Sequence, residues 1–590
     1  MISEGEQNDK VLTGYPAVDK PWLKYYSKEA IEAAVPEGSM YDYMMFNNKD
    51  ALSDIALNYF GRKITYKQLN DEIEKCAQAL TAMGIGQGDV VSLNMLSMPE
   101  TVYLLYAINR LGAICNFLVA NGTVEEIEKH IKTAESKLVI TVDVMADKVL
   151  EAVKEDNIPV IIARLGESMP VLQFLFAPKA GIKTGALVNW QNFIRRGNGV
   201  SCSYPRVSSG NTAVIVYTSG TTGESKGTLL SNQAANAVAF QYIQAEGVLE
   251  FQRKQSFLNI IPPFTSFGLF CALHMPLCVG LETILSPDSL PKHFGKILLK
   301  YKPNHFCAGP LHINNMLSNT KVNKADLSFI ITASYGGDVG SKEWEKSVSV
   351  FLQQHGCRYG LVKGYGLTEM ASTFGIQGQH TKAMIPLVKN NIKILDLDNG
   401  QALSYGQEGE LCISGPSMMT GYFNHQEETE NMIWEEAGAC WLHTGDLGYV
   451  SEDGYFYITG RMKRILWAVG ENGIISRVYP MKIEEVIETH PDVKKCAVLG
   501  IPNGEKGYFT KAFVVGNQPE TERLKTELFE LCREHLPQES QPVYIEFLKD
   551  LPFTLAGKVD YRSLESMAQK GSLMPDILKE NMENECSEKC

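Results

Sequence analysis

Between Tyr217 and Gly227 the chain reads Tyr217-Thr218-Ser219-Gly220-Thr221-Thr222-Gly223-Glu224-Ser225-Lys226-Gly227, which sets five aliphatic hydroxyls, three glycines and one lysine in eleven residues. Glycine lets a backbone approach a ligand closely and adopt positive φ. Hydroxyls and backbone N–H groups donate to anionic oxygens, and an ammonium adds a point charge. This is the composition of a polyphosphate cradle, with Thr218, Ser219, Gly220, Thr221, Thr222, Gly223 and Lys226 as its binding groups. It is not a Walker A loop, in which Gly immediately precedes Lys, because Ser225 holds that place. The apolar run 213–217 reads as a buried strand leading into the loop, and a helical pattern opens at about Gln233. An ordinary polar connection between strand and helix is the plainer reading, but the density of phosphate-competent groups exceeds loop composition.

The same stretch resembles the phosphate-binding signature of the adenylate-forming superfamily, which groups acyl-CoA synthetases, luciferases and nonribosomal adenylation domains. Ser225 stands where those enzymes usually carry Pro. Pro is a rigidifier and not a ligand, so the exchange bears on loop stiffness. Further motifs extend the resemblance, closest to AMP-forming fatty acyl-CoA synthetases. Lys363-Gly364-Tyr365-Gly366-Leu367-Thr368-Glu369 matches the family's Tyr-Gly-x-Thr-Glu. Tyr365 with Gly366 suits a purine face, Thr368 can donate to a phosphate, and Glu369 can hold Mg²⁺, which needs only one or two protein carboxylates when it bridges phosphate oxygens. Standing alone, the segment reads as a strand-to-helix turn with a solvated first-turn acid. An apolar strand over 329–333 ends in Ser334-Tyr335-Gly336-Gly337-Asp338. Ligands of open α/β sheets bind just past the carboxyl ends of strands, and the resemblance implies adenine at Gly336, Gly337 and Asp338. Asp446, in Trp441-Leu442-His443-Thr444-Gly445-Asp446, could accept both ribose hydroxyls, although an Asp after Gly by itself reads as a turn residue.

The resemblance assigns the remaining roles. Arg461 contacts ribose or phosphate, and Lys463 is the hinge residue that absorbs a large backbone rotation. Lys558, in Leu551-Pro552-Phe553-Thr554-Leu555-Ala556-Gly557-Lys558, is the catalytic lysine. Two further places depart from the family pattern. In Pro262-Pro263-Phe264-Thr265-Ser266-Phe267-Gly268, Thr265 occupies the position of a gating His, with Thr265, Ser266, Phe267 and Gly268 as the expected acyl-pocket residues. Extra residues at 473–477 sit in the hairpin that in relatives swings in to form the pantetheine tunnel.

These groups need a scaffold, and the pattern around them is regular. Helices over 67–83, 100–111, 124–133 and 146–154 alternate with strands over 90–95, 113–119, 138–142 and 160–163, which argues for parallel α/β layers. Residues 269–279 read as a core helix, apolar nearly all round, whose first turns also line an acyl tunnel. Residues 164–210 read as irregular, with an apolar knot over 171–176. Residues 409–415 are β- and turn-rich. Beyond 463, helices over 482–489 and 522–535 and strands over 496–499, 512–515 and 544–547 form a small α+β pattern. The expected class is α/β. It comprises a large N-terminal domain of layered α/β subdomains plus a β-rich subdomain (1–462), a small mobile α+β C-terminal domain (463–570), and a disordered tail (571–590).

Composition bounds the function. A chain of 590 residues exceeds one ordinary core. With 68 acidic against 55 basic residues the net charge is −13, which disfavours nucleic acid yet leaves room for a local phosphate cradle. The 13 cysteines are scattered without a Cys-x-x-Cys pair, so free thiols in a reducing, cytoplasmic setting are expected. The polar, acidic start lacks a secretory pattern. The most apolar stretch, 260–285, is broken by prolines, His274 and Glu282 and is not a membrane span.

The resemblance implies ATP-dependent conversion of a fatty or other apolar carboxylic acid to acyl-AMP with release of pyrophosphate, then transfer to the thiol of CoA. The substrates are then the acid, ATP and CoA, with Mg²⁺ as cofactor. Three alternatives stay open: a ligase loading an acyl-carrier protein, a stand-alone amino-acid adenylation enzyme, and a non-catalytic nucleotide-binding protein. Phe264-Thr265-Ser266-Phe267 offers no acid to pair a substrate ammonium, which disfavours the second. The joint presence of Lys558, Glu369, Asp446 and Arg461 disfavours the third.

Overall fold

Local signals start the helices where the sequence places them. Thr65 accepts from the Gln68 N–H at 3.2 Å while Gln68 accepts from the Thr65 N–H at 2.9 Å, and this capping box opens Tyr66–Ala82. The same reciprocal pair at Thr123 and Glu126 opens Val124–Thr133. Leu69, Ile73, Ala77 and Leu80 follow at helical spacing and are buried together. A computed structural model describes residues 12–120, 122–170, 188–218, 225–338, 340–469, 475–502, 508–553 and 558–570.

Internal packing divides the chain into Met1–Ile458 and Thr459–Cys590. The first unit holds an eight-stranded sheet in the order Gly421–Tyr422, Gly227–Ser231, Thr212–Tyr217, Ile114–Phe117, Val90–Asn94, Leu138–Val142, Val160–Ala163, Val188–Asn189. Its strands are parallel from Thr212–Tyr217 onward. Their near-continuous burial explains why they read as unbroken apolar runs. A 14-stranded sheet changes character midway. Ile55–Tyr59, Glu282–Leu285, Ser256–Asn259, His305–Ala308, Thr332–Tyr335 and Leu361–Gly366 run parallel. Past Leu361–Gly366 the sheet continues antiparallel through Thr373–Gln377 and Met384–Pro386 to Phe456–Arg461, whose neighbour Ala439–Val450 pairs antiparallel with Gly409–Ser414 and that strand with Asn391–Leu395. These are the layered and β-rich parts of the expected class.

The second unit has a three-stranded sheet of Val493–Pro502, Tyr508–Gly516 and Tyr544–Phe547. Helices Pro480–Glu488 and Glu522–His535 pack on one face through Ile483, Ile487, Leu524 and Leu528. The other face packs Phe513 and Leu499 against Leu551 and Leu564. Leu466–Val469 and Ile475–Val478 form a separate two-stranded hairpin.

Several expectations change. The helix expected from about Gln233 is present as Asn232–Ile243, but a strand that the sequence pattern left unassigned precedes it. Gly227–Ser231 returns as a strand antiparallel to Thr212–Tyr217, with Tyr217 opposite Gly227, and only then does Ser231 cap the helix Asn232–Ile243. The strand expected over 329–333 is Thr332–Tyr335, because Ile330 closes a turn onto Leu327 and the Ile331 and Thr332 N–H groups both reach the Asn304 carbonyl. The helix over 269–279 begins as a π-helix, Phe267–His274, before the α-helix Met275–Val279. Met275 N–H bonds back five residues to Phe270. Pro276 has no N–H to return to the preceding turn, so the ladder changes register there. Within the supposedly irregular 164–210 lies the helix Trp190–Arg196, capped by Asn189 and anchored by buried Trp190 and Phe193. The apolar knot over 171–176 and the tail 571–590 lie outside the described residues. Tyr561–Lys570 is a further helix that the sequence pattern left unassigned.

Candidate active site

The hairpin between Thr212–Tyr217 and Gly227–Ser231 is tied at its neck. Thr218 N–H donates to the Lys226 carbonyl at 3.0 Å, and Ser225 Oγ donates to the Thr218 carbonyl at 2.9 Å. Ser225, the residue in place of a family Pro, therefore closes the loop by a hydrogen bond instead of a ring. Ser219, Gly220, Thr221, Thr222 and Gly223 lie outside the described residues.

Lys226 leaves this neck toward the edge strand Gly421–Tyr422. Its Nζ lies 3.3 Å from Glu428 Oε1 and 5.3 Å from the centre of the Tyr422 ring. Tyr422 Oη in turn donates to Glu369 Oε1 at 2.7 Å. Burial, then the Glu369 charge, pushes the Tyr422 hydroxyl well above its ordinary range, so it remains a donor. Glu428 stands in the first turn of Gln426–Met432, and its own backbone N–H, ahead of His425 and Lys226, holds its carboxyl below the usual range. Lys226 and Glu369, far apart in sequence, thus converge on Tyr422. The sequence analysis assigned Tyr422 no role; pairing of its strand with Gly227–Ser231 brings it to the site. Thr368 is part of the same turn, Thr368–Met370, and Ser266 Oγ lies 3.5 Å from its hydroxyl.

Tyr365 and Asp446 also meet: the tyrosine hydroxyl donates to Asp446 Oδ2 at 2.6 Å. The ring of Tyr365 is held edge-on by Phe374 and Phe456. Asp446 is not in a turn but in the strand Ala439–Val450, which loses register with Gly409–Ser414 between Glu410 and Cys412. Gly445 adopts φ +67° in this bulge and donates to Glu410 Oε1 at 3.1 Å, while the Thr444 hydroxyl takes the Leu411 carbonyl at 2.7 Å. His443 Nδ1 sits 2.8 Å from the other Glu410 oxygen and 3.7 Å from Cys412 Sγ. Glu410, Cys412 and His443 are metal-type donors that the sequence reading did not group. Both Glu410 oxygens are committed to the bulge, and that is the group's evident task.

Gly336 follows Thr332–Tyr335 and is buried, and an added Cβ would come within 3.2 Å of the Gly364 carbonyl and 3.8 Å of the Phe267 ring. Gly337 has φ +85° and faces open space, and Asp338 is half-buried. Gly366 admits no side chain at all, since a Cβ would lie 1.7 Å from the Ser372 carbonyl. The acyl-pocket motif therefore runs between the two groups already described, with Phe267 near Gly336 and Ser266 near Thr368. Thr265 differs from a gating side chain. Its hydroxyl donates to the Pro262 carbonyl at 2.9 Å and accepts from the Gly268 N–H at 3.1 Å, so it caps the turn that starts the π-helix. Gly268 is packed so closely that a Cβ would lie 2.1 Å from the Pro262 carbonyl.

In the second unit, Arg461 ends the strand Phe456–Arg461 and is exposed, as is Lys463 in the single turn Met462–Arg464. Lys558 is half-buried and is followed by an antiparallel bridge of Val559 to Phe553 and by Asp560 N–H donating to the Pro552 carbonyl at 2.8 Å.

The profile of the family described as AMP-binding enzyme matches residues 46–423, and that of the AMP-binding enzyme C-terminal domain matches residues 482–558. A long-chain-fatty-acid–CoA ligase of Bacillus subtilis (strain 168) is 28% identical over 572 residues, spanning 92% of this chain and 97% of its own length. A probable 4-coumarate–CoA ligase 1 of Dictyostelium discoideum is 29% identical over 477 residues, 78% of this chain and 83% of its own. Among solved structures, the anthranilate CoA ligase AuaEII in complex with anthranoyl-AMP has a TM-score of 0.76 at 22% identity, covering 91% of this chain and 98% of that one. A benzoate CoA ligase from Burkholderia xenovorans LB400 has a TM-score of 0.73 at 22% identity, covering 89% and 99%. At these identities the solved structures speak to the fold.

Proposed function

The chain belongs to the AMP-binding enzyme family, and from that premise we propose that it joins a fatty or other apolar carboxylic acid to CoA through an acyl-adenylate. The observation that carries this reading is the run of contacts from Lys226 through Tyr422 to Glu369, set on a hydroxyl-rich hairpin. That arrangement suits the pyrophosphate end of ATP, while the hydrogen-bonded Tyr365–Asp446 pair suits the nucleoside end.

In the first step a carboxylate oxygen attacks the α-phosphorus, and the bond to the pyrophosphate oxygen breaks. The barrier comes from bringing two anions together and from charge on the leaving group, so positioning and electrostatics supply most of the catalysis. Lys226 and the loop hydroxyls would hold the departing pyrophosphate, and Lys558 the α-phosphate and the incoming carboxylate. Glu369 fits Mg²⁺: it offers a hard oxygen donor, and among the described residues its second oxygen carries no hydrogen bond. When bound, the ion would neutralise charge on the phosphates. In the second step the CoA thiol attacks the acyl carbon and AMP leaves. No protein cysteine is required, and the cysteines among the described residues are free. Those thiols fit a reducing cytoplasm, and among the described residues no helix is long and apolar enough to cross a membrane.

An apolar substrate is in keeping with the segment that continues from the acyl motif, where Leu269, Phe270 and Ala272 are buried in the apolar core. The named activities of the relatives, on long-chain fatty acids and coumarate, run the same way. In this reading the functional boundary lies at 462/463, with Lys463 as pivot, a few residues beyond the packing division at Ile458/Thr459. The test is pyrophosphate release with a panel of aliphatic, aryl and amino acids, followed by thioester formation with CoA or with a holo acyl-carrier protein. Release with apolar acids and thioester on CoA is the expected result. Release only with amino acids, or thioester only on the carrier, would replace this reading.

A further inference from the structure

Arg464 directly follows Lys463, and its guanidinium is gripped from several sides. Nη2 donates to Glu484 Oε1 at 2.6 Å and Nη1 to Glu484 Oε2 at 3.3 Å, a two-pronged pairing. Nη2 also reaches the Val498 carbonyl at 3.4 Å, and the guanidinium lies 4.3 Å from the centre of the Tyr561 ring. Glu484 Oε1 further accepts the Val498 N–H at 2.7 Å and the Tyr561 hydroxyl at 3.3 Å. The Arg464 and Glu484 side chains are 24% and 10% exposed, so the pair is largely sheltered from solvent screening. Four segments meet at this point: the turn Met462–Arg464, the helix Pro480–Glu488, the strand Val493–Pro502 and the helix Tyr561–Lys570. Tyr561 lies three residues beyond Lys558, on chain that Asp560 fastens to Pro552.

We propose that Arg464 is a positioning residue that locks the four segments meeting at it into one rigid body, so that rotation is confined to Lys463 and Lys558 is carried with it. The proposal rests on the reading above, in which Lys463 is the pivot and Lys558 serves adenylation. The physical argument is one of stiffness. A planar fork that bonds both carboxylate oxygens and stacks on an aromatic ring fixes direction as well as distance, which a lysine ammonium cannot do. Were residue 464 loose, the pivot would spread over Arg464 and Ile465, and Lys558 would reach its position only in a fraction of swings.

The test uses the full chain with Arg464→Lys, which keeps the charge but loses the fork and the stacking, and with Tyr561→Phe, which removes only the hydroxyl. Two readouts are needed. The first is deuterium uptake by the amides of residues 464–469. The second is the pair of half-reactions, pyrophosphate release with ATP and acid, and CoA-dependent consumption of supplied acyl-adenylate, both measured well below the thermal midpoint. Arg464→Lys is expected to speed uptake at 464–469 and to lower kcat of both half-reactions by about tenfold or more, with KM for ATP and acid nearly unchanged. Tyr561→Phe should move both readouts in the same direction by less. A merely stabilising pair would lower the thermal midpoint and leave kcat and local uptake alone, and that result would overturn the proposal. If the unaltered chain releases no pyrophosphate with any acid, the functional reading fails separately, and uptake at 464–469 alone decides whether the clamp exists.

Discussion

A single hydroxyl joins two groups that the sequence reading assigned to different tasks. Tyr422 donates to Glu369 and lies beside Lys226, so it sets the direction of the carboxylate and shields the ammonium. A hydrogen bond to a charged acceptor contributes about 1.5–3 kcal/mol. Tyr422→Phe should therefore lower kcat/KM for adenylation by about tenfold to a hundredfold and raise the magnesium concentration needed, with the fold intact by circular dichroism. An unchanged magnesium dependence would remove Tyr422 from the site. The Lys226–Glu428 pair is different. Both side chains are partly exposed and screened by solvent, so the pair is weak and a polyphosphate can displace Glu428 readily. Away from the site, Glu100 is 1% exposed, with one oxygen accepting from Ser168 Oγ at 2.6 Å and the other without a hydrogen bond among the described residues. Burial pushes its carboxyl from 4.5 up to about 7. Between those values the folded chain keeps a proton that the unfolded chain has lost. The contribution is thus full below the unfolded value and is lost as pH rises through the folded one, about 3 kcal/mol in all. Glu100→Gln should flatten the fall in urea-unfolding stability between pH 5 and 7 relative to the unaltered chain, and parallel slopes would show that Glu100 titrates normally.

At the scale of elements, the turn that opens the π-helix is held by backbone contact more than by side chains. Thr265 caps it, and Gly268 packs against the Pro262 carbonyl with no space for a methyl group. Gly268→Ala should cost about 1–3 kcal/mol and, by moving Phe267 and Ser266, raise KM for the acid more than KM for ATP. Equal effects on both would mean that the turn does not border the acid. The helices Tyr66–Ala82 and Val124–Thr133 were legible in sequence because capping and apolar spacing agree. Gly227–Ser231 was not, because Gly-Thr-Leu-Leu-Ser has neither strand alternation nor length, and its partner strand creates it. Trp190–Arg196 is too short to show helical periodicity.

At the scale of the molecule, the chain packs into two units, and Lys558 belongs to the smaller. If the small unit presents Lys558 only for adenylation, Lys558→Ala should reduce pyrophosphate release by about a hundredfold or more while CoA-dependent consumption of supplied acyl-adenylate persists. Equal loss of both half-reactions in a folded variant would end the two-orientation reading. The matches to 46–423 and 482–558 fall within the two units, and the stretch between the matches contains Asp446, Arg461 and Lys463, which is why family motifs alone leave the boundary region open.

The amino-acid sequence by itself determined which chemistries were available: a hydroxyl, glycine and lysine loop for phosphate, one acid for a hard cation, an Asp and a Tyr for a nucleoside. It also determined most of the helices and the alternation that makes a parallel sheet, since those depend on neighbours a few residues apart. Tertiary structure decided how the groups combine. Tyr422 reaches both Lys226 and Glu369 because its strand pairs with Gly227–Ser231, and Asp446 meets Tyr365 because Gly445 and Glu410 bulge its strand. Thr265 turned inward to its own turn because Gly268 needed a cap. Each of these outcomes is set by register and close packing between segments distant in the chain, and local residue patterns carry no record of either.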